Sequence, residues 1–246
     1  MKQYGGLAAL YDYLVGGVDF NGWIDYLEEI LASFGHAPAT VLDLACGTGN
    51  TVLPVARRGY RACGVDLSPE MIELARAKAA AEGLNVEFWV EDMRHFTPPI
   101  PVDLVTCFHD GLNYLTAYSD LVETFRCVRR SLNRGGLFVF DLNAVRWLNG
   151  AKPGATVVEV DDFTIIYESA YHREADLWEI HLTCFVREGE LYRKFTEVHR
   201  EKAYRIEEVV SGLSEAGLTL LGCYDPFTLD PPSEQSKRHF FVARKM

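Results

Sequence analysis

No uninterrupted apolar run in this sequence approaches the roughly 18 residues that a membrane span requires, although 48% of its 246 residues are hydrophobic. Positive charge is also scarce. Lys and Arg number 24 against 35 Asp and Glu, a formal net charge of −11. A nucleic-acid partner, which needs clustered cations for its phosphates, is therefore disfavoured. The densest basic group, Arg126, Arg129 and Arg130, falls on an expected helix and reads as a solvated face. The six cysteines (46, 63, 107, 127, 184 and 223) form no CxxC pair and show no Cys/His metal spacing, so neither bound metal nor a disulfide framework is expected. Several fall in apolar strand-like runs, where reduced cysteines pack as small hydrophobes. The opening "MKQYGGLAALYDYL" carries a lysine but no apolar signal stretch, because Tyr, Asp and Gly interrupt it. These absences predict a cytoplasmic protein with no membrane span and no metal.

What is present is a rhythm. From Val41 to Asn143, "TVLDLA", "YRACGVDL", "NVEFWVED", "VDLVTCFHD" and "LFVFDLN" read as strands. Between them "TVLPVARRG", "SPEMIELARAKAAAEG" and "AYSDLVETFRCVRRSLNRGG" read as helices. Ser68 is the expected cap of the second of these, Pro69 its first residue and Gly83 its stop. Gly135 and Gly136 are expected just past the end of the third. Near-continuous apolar strands separated by helices predict a doubly wound α/β core, a parallel sheet covered on both faces. After Asn143 the pattern changes to strand-like runs, "TVVEV", "FTIIYESAYH", "LWEIHLTCFVRE" and "LYRKFTEVHREKAY", separated by turn residues. They predict an antiparallel insertion of about fifty residues, too long for a plain loop. A helix, "RIEEVVSGLSEAG", and the strands "LTLLGCY" and "HFFVARKM" follow. The expected organisation is an N-terminal helical lid over residues 1–36, a core over 37–145 and 203–246, and the insertion over 146–202.

The stretch "VLDLACGTGN" closes the first strand, where ligands of open parallel sheets bind. Gly47 and Gly49 fit the start of a dinucleotide fingerprint, but Val52 stands where its third glycine belongs. Asp43 lies inside the strand, and a carboxylate there does not help a pyrophosphate. It suits a cationic group such as an ammonium or sulfonium. Alone, the glycines would serve a tight turn equally well.

Further acids follow in order: Asp66 ends the second strand in "GVDLSPEMIELAR", and Asp92 follows the third in "VEDMRHF". With "LDLACGTG", "VDLVTCF" and "SLNRGGLFVFDLN", these segments resemble the class I S-adenosylmethionine-dependent methyltransferases. The resemblance implies a Rossmann-like sheet and S-adenosylmethionine as cofactor, with S-adenosylhomocysteine as product. It implies that Asp66 binds the ribose hydroxyls, Asp92 accepts from the adenine amino group, Met93 packs on the ring and Phe108 covers it. Asp43 would face the cationic methionine moiety, Gly47 and Gly49 would let the backbone approach, and Ala45, Leu67 and Met71 complete the cofactor set.

Two features resemble the small-molecule subgroup. In "YGGLAALYDYL…W", Tyr11 would close over the methionine end, while Trp23 reads equally as core aromatic or cofactor contact. "CFHDGLNYL" is similar to that subgroup's "DSLNYL" pattern, with His109 replacing a small residue. The insertion resembles the sheet extension of bacterial amino-sugar N-methyltransferases, which implies an acceptor roof or a dimer interface. The expected activity is methyl transfer to nitrogen or oxygen of a small molecule by a monomer or homodimer. A macromolecular acceptor, RNA or protein, and a non-catalytic cofactor-binding module remain the alternatives. A general base is needed more for a hydroxyl than for a neutral amine. His109, Tyr114 and His181 are the candidates for it; His172 and His199 have weaker claims, and Asp110 and Asn113 could orient a substrate or cap the next helix.

Overall fold

Strand β5 (Leu132–Asn143) shows how the core is assembled. Phe138, Phe140 and Leu142 join one apolar cluster, and the alternate residues Leu137 and Val139 join another. A pleat with apolar residues on both faces has to be covered on both. In the computed structural model, which describes residues 4–150 and 154–246, it is covered by two helical layers. Residues 1–3 of the expected N-terminal segment and 151–153 of the expected insertion lie outside the described residues.

Five parallel strands, β1 (Thr40–Leu44), β2 (Arg61–Asp66), β3 (Glu87–Val90), β4 (Val102–Cys107) and β5, make most of the main sheet. Two antiparallel strands, β10 (Thr219–Tyr224) and β11 (Arg238–Arg244), complete it beyond β5. The order β10-β11-β5-β4-β1-β2-β3 reverses between β4 and β1. That reversal splays the connections apart and opens a crevice at the strands' carboxyl ends. Helices α2 (Phe20–Ser33), α3 (Val52–Arg57) and α4 (Pro69–Ala81) cover one face; α5 (Tyr118–Ser131) and α7 (Ile206–Ala216) cover the other. Ser68 caps α4 by accepting from the Met71 amide at 3.3 Å, and Gly83 ends it at a φ of 66°. Helix α5 stops at Ser131, earlier than its sequence predicts. The last strand claims that segment: Gly135 N–H donates to Lys245 O at 2.7 Å, and Lys245 N–H to Gly136 O at 3.1 Å.

The segment after β5 contains a short helix, α6 (Val145–Asn149), and then a second sheet. Strands β6 (Gly154–Val160), β7 (Phe163–His172), β8 (Leu177–Glu188) and β9 (Leu191–Lys202) pair antiparallel in chain order. The apolar face of this sheet, including Phe163, Ile165, Ile180 and Leu182, packs on Leu7 and Leu10. These two belong to the N-terminal segment that contains α1 (Ala8–Leu14). All six cysteines are free. Among the described residues no helix is long and apolar enough to cross a membrane.

Candidate active site

Beyond β1 the chain turns through Ala45, Gly47 and Gly49, all in the left-handed region at φ of 52°, 53° and 86°. A Cβ on Gly49 would lie 3.2 Å from Leu53 Cγ, so glycine lets the loop lie against α3. Ala45 holds its conformation against a steric cost of roughly 1 kcal/mol. The curled loop meets the end of β2, where Asp66 Oδ2 accepts from the Gly47 amide and Oδ1 from the Ser68 amide, each at 2.9 Å. Burial pushes the Asp66 carboxyl above its usual range, and these amides oppose that shift. A carboxylate offers about four acceptor positions, so two remain for a ligand. Asp66 lines a cavity of about 640 Å³ at the switch point, within the size range of small-molecule sites.

Tyr11, Ala45, Gly47, Leu67 and Met71 also line this cavity, as do Asp92 and Met93 beyond β3 and Phe108 beyond β4. Asp92 is already engaged. Arg94 donates to it from Nη2 at 2.5 Å and reaches Asp120 through Nη1 at 2.9 Å. The Arg94 guanidinium holds the Asp92 carboxyl below its usual range.

Four expected site residues do not reach the wall. Asp43 is sealed in the core at 2% exposure, where Thr106 Oγ1 donates to it at 2.7 Å. Burial, outweighing that bond, pushes its carboxyl up to about 7. Gly49 is buried against α3. Trp23 stacks on the His109 ring at 4.0 Å between centroids, so it backs a wall residue. His181 alternates with the inward Ile180 and Leu182, faces outward and pairs with Glu179 Oε1 at 2.7 Å.

His109 and Tyr114 both line the cavity. His109 and Asp110 are consecutive left-handed residues, each at a φ of 57°. Such backbone persists only when its surroundings over-determine it. Arg238 Nη2 donates to Asp110 Oδ1 at 2.7 Å, Arg238 Nη1 donates to Asp141 Oδ2, and the Asp110 amide donates to Asp141 Oδ2 at 3.1 Å. Burial lowers the His109 imidazole to about 4, leaving it neutral at neutral pH, and its buried Nε2 has no hydrogen-bond partner among the described residues. Asn113 neither caps a helix nor faces the cavity: it is fully buried, donating to Lys202 O at 2.8 Å and accepting from the Asn143 amide at 3.0 Å.

Sequence reasoning undervalued a second constellation. Glu197, His199 and Glu201 occupy one face of β9, all inward and no more than 3% exposed. Their period-two spacing was the available signal. Glu197 Oε1 accepts from the amides of Gly6 at 2.8 Å and Leu7 at 2.9 Å, and Oε2 from the Tyr4 amide at 2.7 Å. Burial pushes this carboxyl up, but His199 and the three amides outweigh it and hold it below its usual range. Gly6 permits the approach, because a Cβ there would stand 2.6 Å from the Phe195 ring. From Glu197 a chain of hydrogen bonds runs outward. His199 Nε2 lies 3.1 Å from Glu197 Oε2, Tyr114 Oη 3.2 Å from His199 Nδ1, and Tyr4 Oη 2.5 Å from Tyr114 Oη. At the other edge of the same N-terminal segment, Asp12 accepts from Thr48 Oγ1 at 2.6 Å, Asn50 Nδ2 at 2.8 Å and Lys78 Nζ at 2.9 Å. The N-terminal segment is thus tied to the glycine loop by one carboxylate and to the second sheet by another.

Tyr4, Tyr11 and Tyr114 line the first cavity and also a second one of about 440 Å³. The second lies between the N-terminal segment and the antiparallel sheet, with Leu7, Leu14, Val158, Ile165, Ile180 and Leu182 in its walls.

The chain is similar to known methyltransferases. A methyltransferase-domain family model matches residues 41–136. A Geobacillus sp. (strain WCH70) protein named as a methyltransferase is 34% identical over 245 residues, 98% of this chain and 99% of that one. The crystal structure of an S-adenosylmethionine-dependent methyltransferase from Clostridium acetobutylicum superposes with a TM-score of 0.86 at 29% identity, covering 97% of each chain. The sugar N-methyltransferase KedS8 of Streptoalloteichus sp. shares the fold, with a TM-score of 0.79 at 23% identity over 99% of this chain and 95% of its own.

Proposed function

The chain belongs to the S-adenosylmethionine-dependent methyltransferases, and we propose that it methylates nitrogen or oxygen of a small-molecule acceptor. The observation that carries this reading is the shared wall of three tyrosines between the switch-point cavity and the second cavity. A ligand in each would meet its neighbour at those phenols, inside the protein. The formal charge of −11 supports the same reading, since it disfavours a polyanionic acceptor.

The residues present fit the cofactor. Asp66 keeps two acceptor positions, which suits a pair of ribose hydroxyls. Met71, Met93 and Phe108 supply apolar surface for a base, and Asp92, next to Met93, also lines the cavity. Tyr11 lies against Gly47, its Cε1 3.9 Å from where a Cβ would stand, so it would cover the methionine end. The cofactor supplies an electrophilic methyl group on a sulfonium sulfur. The protein's task is then to align the nucleophile with that methyl group and keep out water, which proximity and orientation accomplish without covalent chemistry. His109, held neutral, would offer a hydrogen bond to the acceptor rather than a positive charge.

Isothermal calorimetry tests the cofactor half of the reading: S-adenosylhomocysteine should bind, and Asp66→Ala should abolish the signal. No binding to the wild-type protein would overturn it. Mass identification of products formed from a metabolite extract and labelled cofactor tests the acceptor half. Label found only in protein or RNA would refute a small-molecule acceptor.

A further inference from the structure

We propose that the second cavity holds the apolar body of the acceptor, and that the methylated atom is a hydroxyl oxygen whose proton enters the Tyr4–Tyr114–His199 chain. The inference rests on the cofactor reading above and adds the acceptor's chemical class.

The walls argue for an apolar body. Leu7, Leu14, Val158, Ile165, Ile180 and Leu182 surround the space, and its polar groups are Tyr4, Tyr11, Tyr114, Thr156, Tyr167 and His199. Among the described residues no Asp, Glu, Lys or Arg stands in the wall. A polyhydroxylated or cationic sugar buried there would leave polar groups without partners, at a cost of roughly 1–3 kcal/mol each. A ring bearing a short alkyl chain would not.

The junction argues for a hydroxyl. A neutral amine can attack without losing a proton beforehand, whereas a hydroxyl gains most from a proton acceptor at the moment of reaction. The chain of hydrogen bonds supplies one. With Nε2–H donating to Glu197, His199 leaves Nδ1 free to accept from Tyr114 Oη–H, and Tyr4 Oη–H donates in turn to Tyr114 Oη. Tyr4 Oη is the outer end of this chain, and Tyr4 lines both cavities. As the acceptor oxygen bonds to the methyl carbon and that carbon parts from sulfur, the acceptor's proton passes to Tyr4 Oη. The Tyr4 proton moves to Tyr114, and the Tyr114 proton to His199 Nδ1. The imidazolium so formed faces the Glu197 carboxylate, and the sulfur leaves as a neutral thioether. Tyr4 is the catalytic residue in this account; Tyr114 and His199 act through it.

The test uses the intact protein with labelled S-adenosylmethionine and three probes: 4-butylphenol, 4-butyl-2-nitrophenol and glucosamine. Calorimetry in the presence of S-adenosylhomocysteine should show binding of the butylphenols, and product analysis should show methylation of 4-butylphenol on oxygen. Glucosamine should remain unmodified. His199→Gln should lower kcat for 4-butylphenol by about 10²-fold, with KM and S-adenosylhomocysteine affinity unchanged. The nitrophenol, assayed at about pH 8.5 where it is mostly ionised while 4-butylphenol is not, should recover most of that rate, as it should in Tyr4→Phe. Ile180→Trp, which fills the cavity, should raise KM for 4-butylphenol without altering cofactor affinity. Equal losses on both phenols, methylation of glucosamine in preference, or no phenol binding while S-adenosylhomocysteine binds would each overturn this inference alone. Failure of S-adenosylhomocysteine to bind would overturn the cofactor reading and this one with it.

Discussion

The two cavities meet at three tyrosines but are built by opposite means. The first is made from the ends of parallel strands, and its polar groups are fixed by the backbone: Asp66 by two amides, the glycine loop by three left-handed residues. The second is made from the flat side of an antiparallel sheet and one short segment, and aliphatic side chains fill its walls beyond the shared tyrosines, Thr156, Tyr167 and His199. A nucleotide-like ligand needs groups at set positions, so a few residues at fixed spacing have to be present. An apolar ligand needs volume, and any combination of Leu, Ile and Val that leaves the same space will do.

That contrast can be broken from either side. The largest effect is expected at the tie between them. Glu197→Ala removes the acceptor of three backbone amides and strands His199, and it should lower stability by about 3–5 kcal/mol, read by urea denaturation. Because the folded state depresses this carboxyl, its contribution is complete above the ordinary glutamate range and lost as pH falls through the folded value. Protease sensitivity near residues 4–14 should rise in the variant and, for the wild-type protein, in acid.

Asp66→Ala should weaken S-adenosylhomocysteine binding at least about hundredfold, equivalent to about 2.7 kcal/mol, by calorimetry. Leu182→Trp should leave that affinity where it is. If both variants altered cofactor binding alike, the two cavities would not be separate sites. A pH-dependent effect is expected at Asp43, whose carboxyl titrates near 3.8 when unfolded and at about 7 in the fold. The folded protein then holds the extra proton between those values, and stability falls as pH rises across that window. Asp43→Asn should flatten the slope of melting temperature against pH between 4 and 7. The smallest effect is expected at Ala45: glycine at its φ of 52° should stabilise the protein by about 1 kcal/mol or less, measurable by calorimetric melting.

The legible part of the molecule was the part with local constraints. The alternation of apolar runs and helices identified the main sheet, and the cap at Ser68 and stop at Gly83 marked α4 because each acts within one turn. Asp66 and Asp92 were legible from their places after β2 and β3. Asp43 was expected to face a ligand; the strand's pleat instead turns it onto Thr106 in the core. His181 was singled out for its residue type, whereas its alternation with Ile180 and Leu182 already put it on the outer face. The Tyr4–Tyr114–His199–Glu197 chain was not legible. It joins residues from three distant segments, and no local spacing encodes which face of β9 meets the N-terminal segment.

The tie between Glu197 and the Gly6 and Leu7 amides spans 191 and 190 positions of sequence. On the ribosome, the segment that covers the second sheet is therefore made first and must wait for nearly the whole chain before its partner exists. The parallel strands β1 to β5 can be in place by then, since their contacts close over shorter distances. Contacts of such long separation form late and slowly. The apolar face of β7 and β8 accordingly stands uncovered during the last stage of synthesis, and a nascent chain stalled before residue 197 would present that face to whatever is nearby.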